Sequence, residues 1–244
     1  MSRRSEFFAG AKAELPILLG VIPFGLIFGV VALQSGVPAW PAMAMSSVVF
    51  AGSAQFLGVQ LFGVAAPPLV IVLTTLILNL RHLLYGASLG PYLKPLRLAW
   101  KWGLAYLMTD EAYAVVITHY TRTREQANRE QGPEPGARDR GIAGSRYGHW
   151  FFLGAGVTLW VAWQASTAMG MLLGAEIPQR WSLEFALPLT FIALVMPTLT
   201  DLAAVLTAGT AGVIAVVAIG LPYKLGLMLG ALVGIVAGLV GERG

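Results

Sequence analysis

The chain contains no cysteine, which excludes disulfide bonds, thiolate nucleophiles and thiolate metal sites. Charge is also scarce: Asp, Glu, Lys and Arg make up 11% of the 244 residues, whereas a soluble domain carries about 25% because water must solvate its surface. The charges are concentrated, with ten of them between Arg122 and Arg146. These shortages exclude, as a first interpretation, a disordered chain, a nucleic-acid-binding protein and an ordinary cytosolic enzyme.

Apolar residues dominate the sequence: they make up 57% of it and give a mean hydropathy of +0.72. They form runs long enough to cross a hydrocarbon layer of about 30 Å as helices. Eight runs can be marked, at about 15–34, 42–63, 67–90, 100–119, 149–173, 183–200, 202–220 and 222–240. The alternating patterns of barrel strands are absent. The predicted fold class is all-α, a polytopic integral membrane helix bundle with some helices discontinuous or re-entrant.

The first apolar run is too long for a signal peptide and lacks a cleavage site, so we interpret it as a retained span of a multi-pass protein in the cytoplasmic (inner) membrane. Residues 120–148 are rich in Gly, Pro and charge, which predicts a solvent-exposed loop. This loop divides a single membrane domain, residues 1–244, into a first helical half, 1–119, and a second, 149–244. No convincing sequence repeat relates the two halves.

Basic residues give a conflicting orientation. Arg3 and Arg4, together with the arginine-rich loop, favour a cytoplasmic N-terminus and a cytoplasmic loop after four crossings. Simple counting then places a third basic group outside the cell, formed by Lys94, Arg97 and Lys101. The conflict disappears if the third or fourth apolar segment is re-entrant or broken.

Three polar clusters interrupt the apolar segments, and such groups inside a membrane are candidates for a functional site. The first is FAGSAQF at 50–56, which contains Gly52, Ser53 and Gln55. One interpretation is tight helix packing with hydrogen bonds between helices. The other is a helix broken at Gly52, whose freed backbone groups bind a substrate carboxylate or ammonium, as in transporters with discontinuous helices.

The second cluster, in NLRHLLYGAS at 79–88, contains Asn79, Arg81 and His82. Arg81 either extends to the membrane interface as a helix-end anchor or points into the bundle. In the second case His82 titrates or orients a neighbouring group.

The third cluster, Thr109-Asp110-Glu111, places two adjacent acids at the centre of the fourth apolar segment. Neighbouring residues on a helix point about 100° apart, so we expect only one of the acids to face a given cavity. We expect Arg81 to pair with the acid that stays ionised. One of the two acids is predicted to be protonated during part of a transport cycle, because the neutral form is favoured beside a second carboxylate in an apolar setting.

Four glycines in the last segment, Gly226, Gly230, Gly234 and Gly238, form a small-residue stripe. The stripe serves either internal helix packing or the docking of a partner subunit. No catalytic, phosphate-binding, metal or dinucleotide motif is present, so we predict neither an enzyme nor a cofactor. An intramembrane acid–base site of His82 and Asp110 is the minor alternative.

Read in order, FAGSAQF at 50–56, LTTLILNLRHLLYGASLGPYL at 73–93 and MTDEAYAV at 108–115 resemble the AzlC family, the large subunits of bacterial branched-chain amino acid exporters. LPYKLGLMLGALVGIVAGLV at 221–240 is similar to the C-terminal helix of that family. The long arginine-rich loop departs from the family pattern. The resemblance implies a permease that exports leucine, isoleucine and valine, driven by the proton gradient and working with a small membrane subunit of the AzlD type.

Beside this resemblance, we assign the carboxylate of such a substrate to Arg81, Asn79 or amides at a helix break, and its ammonium group to Asp110 or Glu111. Gly52, Ser53, Gln55 and His82 complete the predicted substrate site. Competing functions are export of another small solute, a passive channel and a membrane scaffold. A homo-oligomer is also compatible with the sequence.

Overall fold

The computed structural model describes residues 2–131, 147–174, 199 and 201–241. These residues form helices and contain no strand, which confirms the all-α class. The helices are α1 (Arg3–Gln34), α2 (Ala39–Val49), α3 (Gly52–Gly63), α4 (Pro68–Asn79), α5 (Arg81–Leu93), α6 (Leu98–Tyr106), α7 (Asp110–Gln131), α8 (Gly148–Gly174), α9 (Leu202–Val217) and α10 (Leu225–Gly241), with a 3-10 turn at Pro222–Lys224. The predicted segment 183–200 lies, apart from residue 199, outside the described residues.

Helices α1 and α8 form the central pair of the bundle. A Cβ atom added to Gly10 would overlap the Phe151 carbonyl, and one added to Gly29 would overlap the Thr167 carbonyl. Residue numbers on α1 and on α8 increase in the same direction along the contact, so the two helices run parallel. They therefore begin on the same side of the bundle, which we call the N-terminal side; the other is the opposite side.

Helices α2 and α3 form a re-entrant hairpin from the opposite side. Going inward, α2 follows α8, where the Ser46 hydroxyl donates to Thr167 Oγ1 at 3.3 Å. The chain turns at Phe50, and α3 then returns along α1 until Gly63 lies beside Ser35. The second apolar segment, predicted as one broken helix, thus enters and leaves on the same side.

Helices α4 and α5 cross the bundle as one unit, interrupted only at Leu80. The unit Pro68–Leu93 and α1 are the two stretches of the described chain that are both long and apolar enough to span a membrane. Near the end of α5 the Tyr92 ring lies 5.2 Å from that of Tyr120 on α7.

Helices α6 and α7 form a second re-entrant hairpin, from the N-terminal side. The Trp100 ring on α6 lies 4.7 Å from that of His149, in the first turn of α8. After the turn at 107–109, α7 returns to the same end, where the Tyr120 hydroxyl donates to the Gly148 carbonyl at 3.0 Å. The fourth segment is therefore re-entrant.

This topology resolves the orientation conflict. Lys94, Arg97 and Lys101 flank the start of α6, so they lie on the N-terminal side with Arg3 rather than across the membrane. Of the four crossings counted before the central loop, two are re-entrant hairpins, and the two that remain return the chain to the N-terminal side.

The structure also corrects the start of the predicted loop, because α7 remains helical to Gln131. Arg, Glu, Gln and Ala are good helix formers, so this stretch continues α7 although it is polar. The division into two halves about the loop stays a prediction.

Helices α9 and α10 form an antiparallel pair. A Cβ at Gly230 or Gly234 would press on the backbone of α9 around Ala211. The glycine stripe thus serves internal packing, one of its two predicted roles. The Thr74 hydroxyl lies 3.2 Å from the sulfur of Met228 and connects this pair to α4.

The two hairpins enter from opposite sides, and their tips meet inside the bundle. The Tyr106 hydroxyl of α6 donates to the Ser47 carbonyl of α2 and accepts from Trp160 Nε1 of α8 at 2.7 Å. A crossing helix followed by a hairpin therefore occurs twice, once in each direction, which is an inverted arrangement common in transporters.

Candidate functional site

A cavity of about 590 Å³ lies where the two hairpin tips meet the α4–α5 interruption. Apolar side chains of α1, α2 and α8 form one part of its wall, and polar groups from the three interrupted segments form the rest. The lining residues are Ile17, Val21, Phe24, Phe50, Ala51, Gly52, Ser53, Arg81, His82, Tyr85, Thr109, Asp110, Glu111, Ala114, Leu159 and Trp163.

Arg81 joins all three interrupted segments at this cavity. It is the first residue of α5, and its Nη1 lies 2.6 Å from Oδ2 of Asp110, at the tip of the α6–α7 hairpin. Its Nη2 donates to Ser53 Oγ of the other hairpin at 2.7 Å. The predicted pairing of Arg81 with one of the acids is present, and Arg81 points into the bundle.

The ion pair retains binding capacity. The side chains of Arg81 and Asp110 are 32% and 39% exposed, so both face open cavity space. Arg81 Nε is buried and has no hydrogen-bond partner among the described residues, whereas the Tyr85 hydroxyl interacts with the Asp110 carboxylate. A buried ion pair is stable only when its remaining donors and acceptors are satisfied, so Arg81 Nε is the donor of this pair that still lacks an acceptor.

The start of α7 explains the position of both acids. The Thr109 hydroxyl accepts from the Ala112 amide at 3.3 Å and so caps the helix, whose first turn holds Asp110 and Glu111. Carboxylates are favoured at this end of a helix, where its dipole is positive. The expectation that only one acid faces the cavity is wrong, because both line it. At the open end of a helix, more than one face borders the cavity.

The tip of the α2–α3 hairpin is formed by FAGS. Phe50 has a left-handed backbone (φ 42°), so the break falls at Phe50 and Ala51, just before the predicted position at Gly52. Gly52 and Ser53 line the cavity. A Cβ at Gly52 would lie 3.0 Å from Phe24 Cε1, which leaves little room for a side chain there.

Gln55 has a different position from the one predicted. It is fully buried outside the cavity wall, and its Oε1 accepts from the Ala51 amide at 3.1 Å. The amide would otherwise lack a partner at the break, so Gln55 stabilises the turn.

His82 lines the cavity, whereas Asn79 does not. His82 donates from Nδ1 to the Asn79 carbonyl at 3.1 Å. This contact satisfies a carbonyl next to the interruption at Leu80, and it fixes the orientation of the imidazole.

Sequence reasoning missed three residues at this site. Trp163 lies inside the fifth apolar segment, which is typical of packing between helices, yet it lines the cavity, and its buried Nε1 has no partner among the described residues. Tyr85 also lines the cavity and stacks on Tyr113 with ring centroids 4.4 Å apart. Glu14 is fully buried on α1. In the sequence, Glu14 directly precedes the first apolar run, a position that suggests the end of a helix. Because α1 begins at Arg3, Glu14 instead lies three turns inside the helix.

The cavity combines opposite charges with an apolar wall. A paired guanidinium and carboxylate and a second carboxylate line a cavity whose volume lies within the roughly 300–1,000 Å³ of small-molecule sites. This chemistry suits a small zwitterion with an aliphatic or aromatic side chain.

Comparison with known proteins gives the same family as the sequence motifs. The profile of the family described as AzlC protein matches residues 16–177. The chain is 25% identical to the inner membrane protein YgaZ of Escherichia coli, over 79% of this chain and 73% of that protein. It is 27% identical to the branched-chain amino acid transport protein AzlC of Bacillus subtilis, over 80% of this chain and 70% of that protein. No solved structure matches the chain significantly. The chain is a membrane protein and belongs to the AzlC family.

Proposed function

We propose that this chain is the large subunit of a secondary transporter that exports branched-chain and other neutral hydrophobic amino acids across the cytoplasmic membrane. The observation that carries the proposal is the Arg81–Asp110 pair in a cavity between two opposed re-entrant hairpins. The name of the Bacillus subtilis relative supports the substrate class. The basic residues gathered on the N-terminal side support its placement in the cytoplasm.

The charged groups suggest how an amino acid binds. Its carboxylate accepts hydrogen bonds from Arg81, and its ammonium group donates to Asp110, so the substrate inserts into the existing ion pair. Its branched side chain packs against Val21, Phe24 and Leu159. Each charge of the pair then keeps an opposite partner, which avoids the cost of leaving a buried charge alone.

The hairpins provide alternating access. Each tip closes one route to the cavity, and the Tyr106–Ser47 and Trp160–Tyr106 hydrogen bonds hold both tips near α8. Movement of one hairpin away from α8 opens the cavity to the side from which that hairpin enters. Two such gates around one binding site are the requirement for a secondary transporter.

Protons drive export in this proposal. Glu111 binds a proton in the substrate-free state, while Asp110 stays ionised beside Arg81. The ammonium group of the substrate takes the place of this proton, so the net charge of the cavity falls by one unit when the zwitterion binds and the proton leaves. The small membrane subunit of the AzlD type completes the transporter in the bilayer.

Counterflow in proteoliposomes tests the function. The purified chain, reconstituted with and without the small subunit, is loaded with unlabelled leucine and given external labelled leucine. We expect saturable, transient accumulation that valine and isoleucine inhibit and that lysine and glutamate do not.

Each alternative has its own outcome. Flux that neither saturates nor shows counterflow indicates a channel, and failure to move any tested solute indicates a scaffold. Counterflow of a different solute class overturns the substrate while keeping the transport mechanism.

A further inference from the structure

Glu14 is an acid of the bundle interior that the proposed binding scheme does not use. It is 0% exposed, and neither carboxylate oxygen has a hydrogen-bond partner within the described part of the chain. Ile17 and Val21, three and seven residues later on the same face of α1, line the cavity. Glu14 therefore lies on α1 one turn before the residues that line the cavity, on the same face of the helix.

The charges that face Glu14 are acidic. From α7, Glu111 interacts with it electrostatically. Asp110 of α7 also lines the cavity beside α1, where it pairs with Arg81, and His119 and Tyr120, farther along α7, interact with Glu6.

Within the described ranges of the chain, the remaining neighbours of α1 provide no cation beside Glu14. Helices α2 and α3 contain no charged residue, and α8 contains only His149 as a titratable group. His149 lies beside Trp100 and interacts with Arg3, at the N-terminal side. Lys12 on α1 itself is exposed.

A carboxylate that is buried without a cation or hydrogen bond costs several kcal/mol when it is charged. Two acids in such a place share protons, because the charge of one opposes the charge of the other. Resting on the proposed function, we infer that Glu14 is a second proton-binding residue of the transport cycle, which exchanges a proton with Glu111 behind the cavity wall.

The step is balanced: a carboxylic acid gives one proton to a carboxylate, and the net charge of the pair is unchanged. The exit direction follows from α1. Glu6 is also buried and lies eight residues before Glu14, about 12 Å along the helix towards the N-terminal side. Glu111, Glu14 and Glu6 thus form a series of acids from the cavity to the side assigned to the cytoplasm.

Glu14→Gln tests the inference in the full chain, reconstituted with the small subunit. Gln has nearly the shape of the protonated acid, so leucine counterflow, which needs no net proton movement, remains near the wild-type rate. Leucine accumulation driven by an imposed pH gradient falls about tenfold or more, the size of a typical coupling free energy. Glu125→Gln, the same change at an exposed position of α7, alters neither assay.

Gradient-driven accumulation by Glu14→Gln at the wild-type level overturns the inference. Loss of counterflow in a variant with wild-type thermal stability also overturns it, since Glu14 then acts in substrate binding. If Glu14→Gln is unstable, Glu14→Asp replaces it. An altered pH profile of gradient-driven transport then supports the inference, and an unchanged profile contradicts it. If the wild-type protein itself shows no gradient-driven transport, the proposed function fails instead.

Discussion

Arg81 has more donors than a simple charge pair requires. Its planar guanidinium binds Asp110 with one nitrogen and Ser53 with another, so this single side chain contacts the tips of both hairpins. Lysine presents its donors from a single nitrogen, so it would not reach both partners with the geometry of this planar fork. In the proposed transporter, the atoms that bind substrate thus also contact both hairpin tips.

Asp110→Asn tests this role of the pair. It replaces the charged acceptor for the ammonium group by a neutral amide and leaves Arg81 without its anion, so we expect the half-saturation concentration for leucine to rise about tenfold or more. Loss of a fully buried partner costs about 3–5 kcal/mol, and the effect is smaller here because the pair is about a third exposed.

Concentration-dependent counterflow measures this change. Asp201→Asn is the matched control, since Asp201 caps α9 from an exposed position. Equal leucine affinity in Asp110→Asn and the wild type would show that the ammonium group does not bind at this pair.

At the scale of helices, backbone contact between α1 and α8 provides the rigid part of the molecule. Gly154 approaches the Phe7 carbonyl, and Gly170 approaches the Leu26 carbonyl, so glycines on α8 admit the backbone of α1. In lipid, such close packing replaces the hydrophobic effect as the force between helices. The hairpins pack against this pair, which provides the fixed surface that the proposed gating motion requires.

Gly154→Ala is predicted to lower stability. The added Cβ would overlap the Phe7 carbonyl, and separating the two backbones costs about 1–3 kcal/mol. A fall of several degrees in the unfolding temperature of the detergent-purified protein measures this effect. Gly103→Ala is the control, because open space surrounds Gly103 on α6 and alanine favours a helix. An unchanged unfolding temperature in Gly154→Ala would contradict the close packing of α1 and α8.

At the scale of the whole molecule, the two re-entrant hairpins decide which side each loop faces. Basic residues of the 94–101 connection join those near the N-terminus on one side, while the turn at Val64 and Ala65 lies on the other. In the proposed mechanism, the inverted pairing of crossing and hairpin provides one gate on each side of the cavity.

Cysteine labelling tests this topology on a chain that has no native thiol. Arg97→Cys is expected to react with an impermeant reagent only after the membrane is opened, like Ser2→Cys. Val64→Cys, which replaces an exposed residue at the opposite side, reacts in intact cells. Labelling of Arg97→Cys but not of Ser2→Cys in intact cells would contradict the re-entrant α2–α3 hairpin, because the two positions share a side only if that hairpin does not cross the membrane.

The sequence alone determined the membrane environment, the helical class and the polar residues that lie inside the bundle, because these follow from composition and from the length of apolar runs. It left open whether a run of about twenty residues crosses the membrane or enters and returns as two short helices, since both satisfy the backbone equally. Only the tertiary structure placed Ser53, Arg81 and Asp110 together and Gln55 behind the turn. Such long-range contacts depend on how hairpins pack against α1 and α8, and local sequence patterns do not encode that packing.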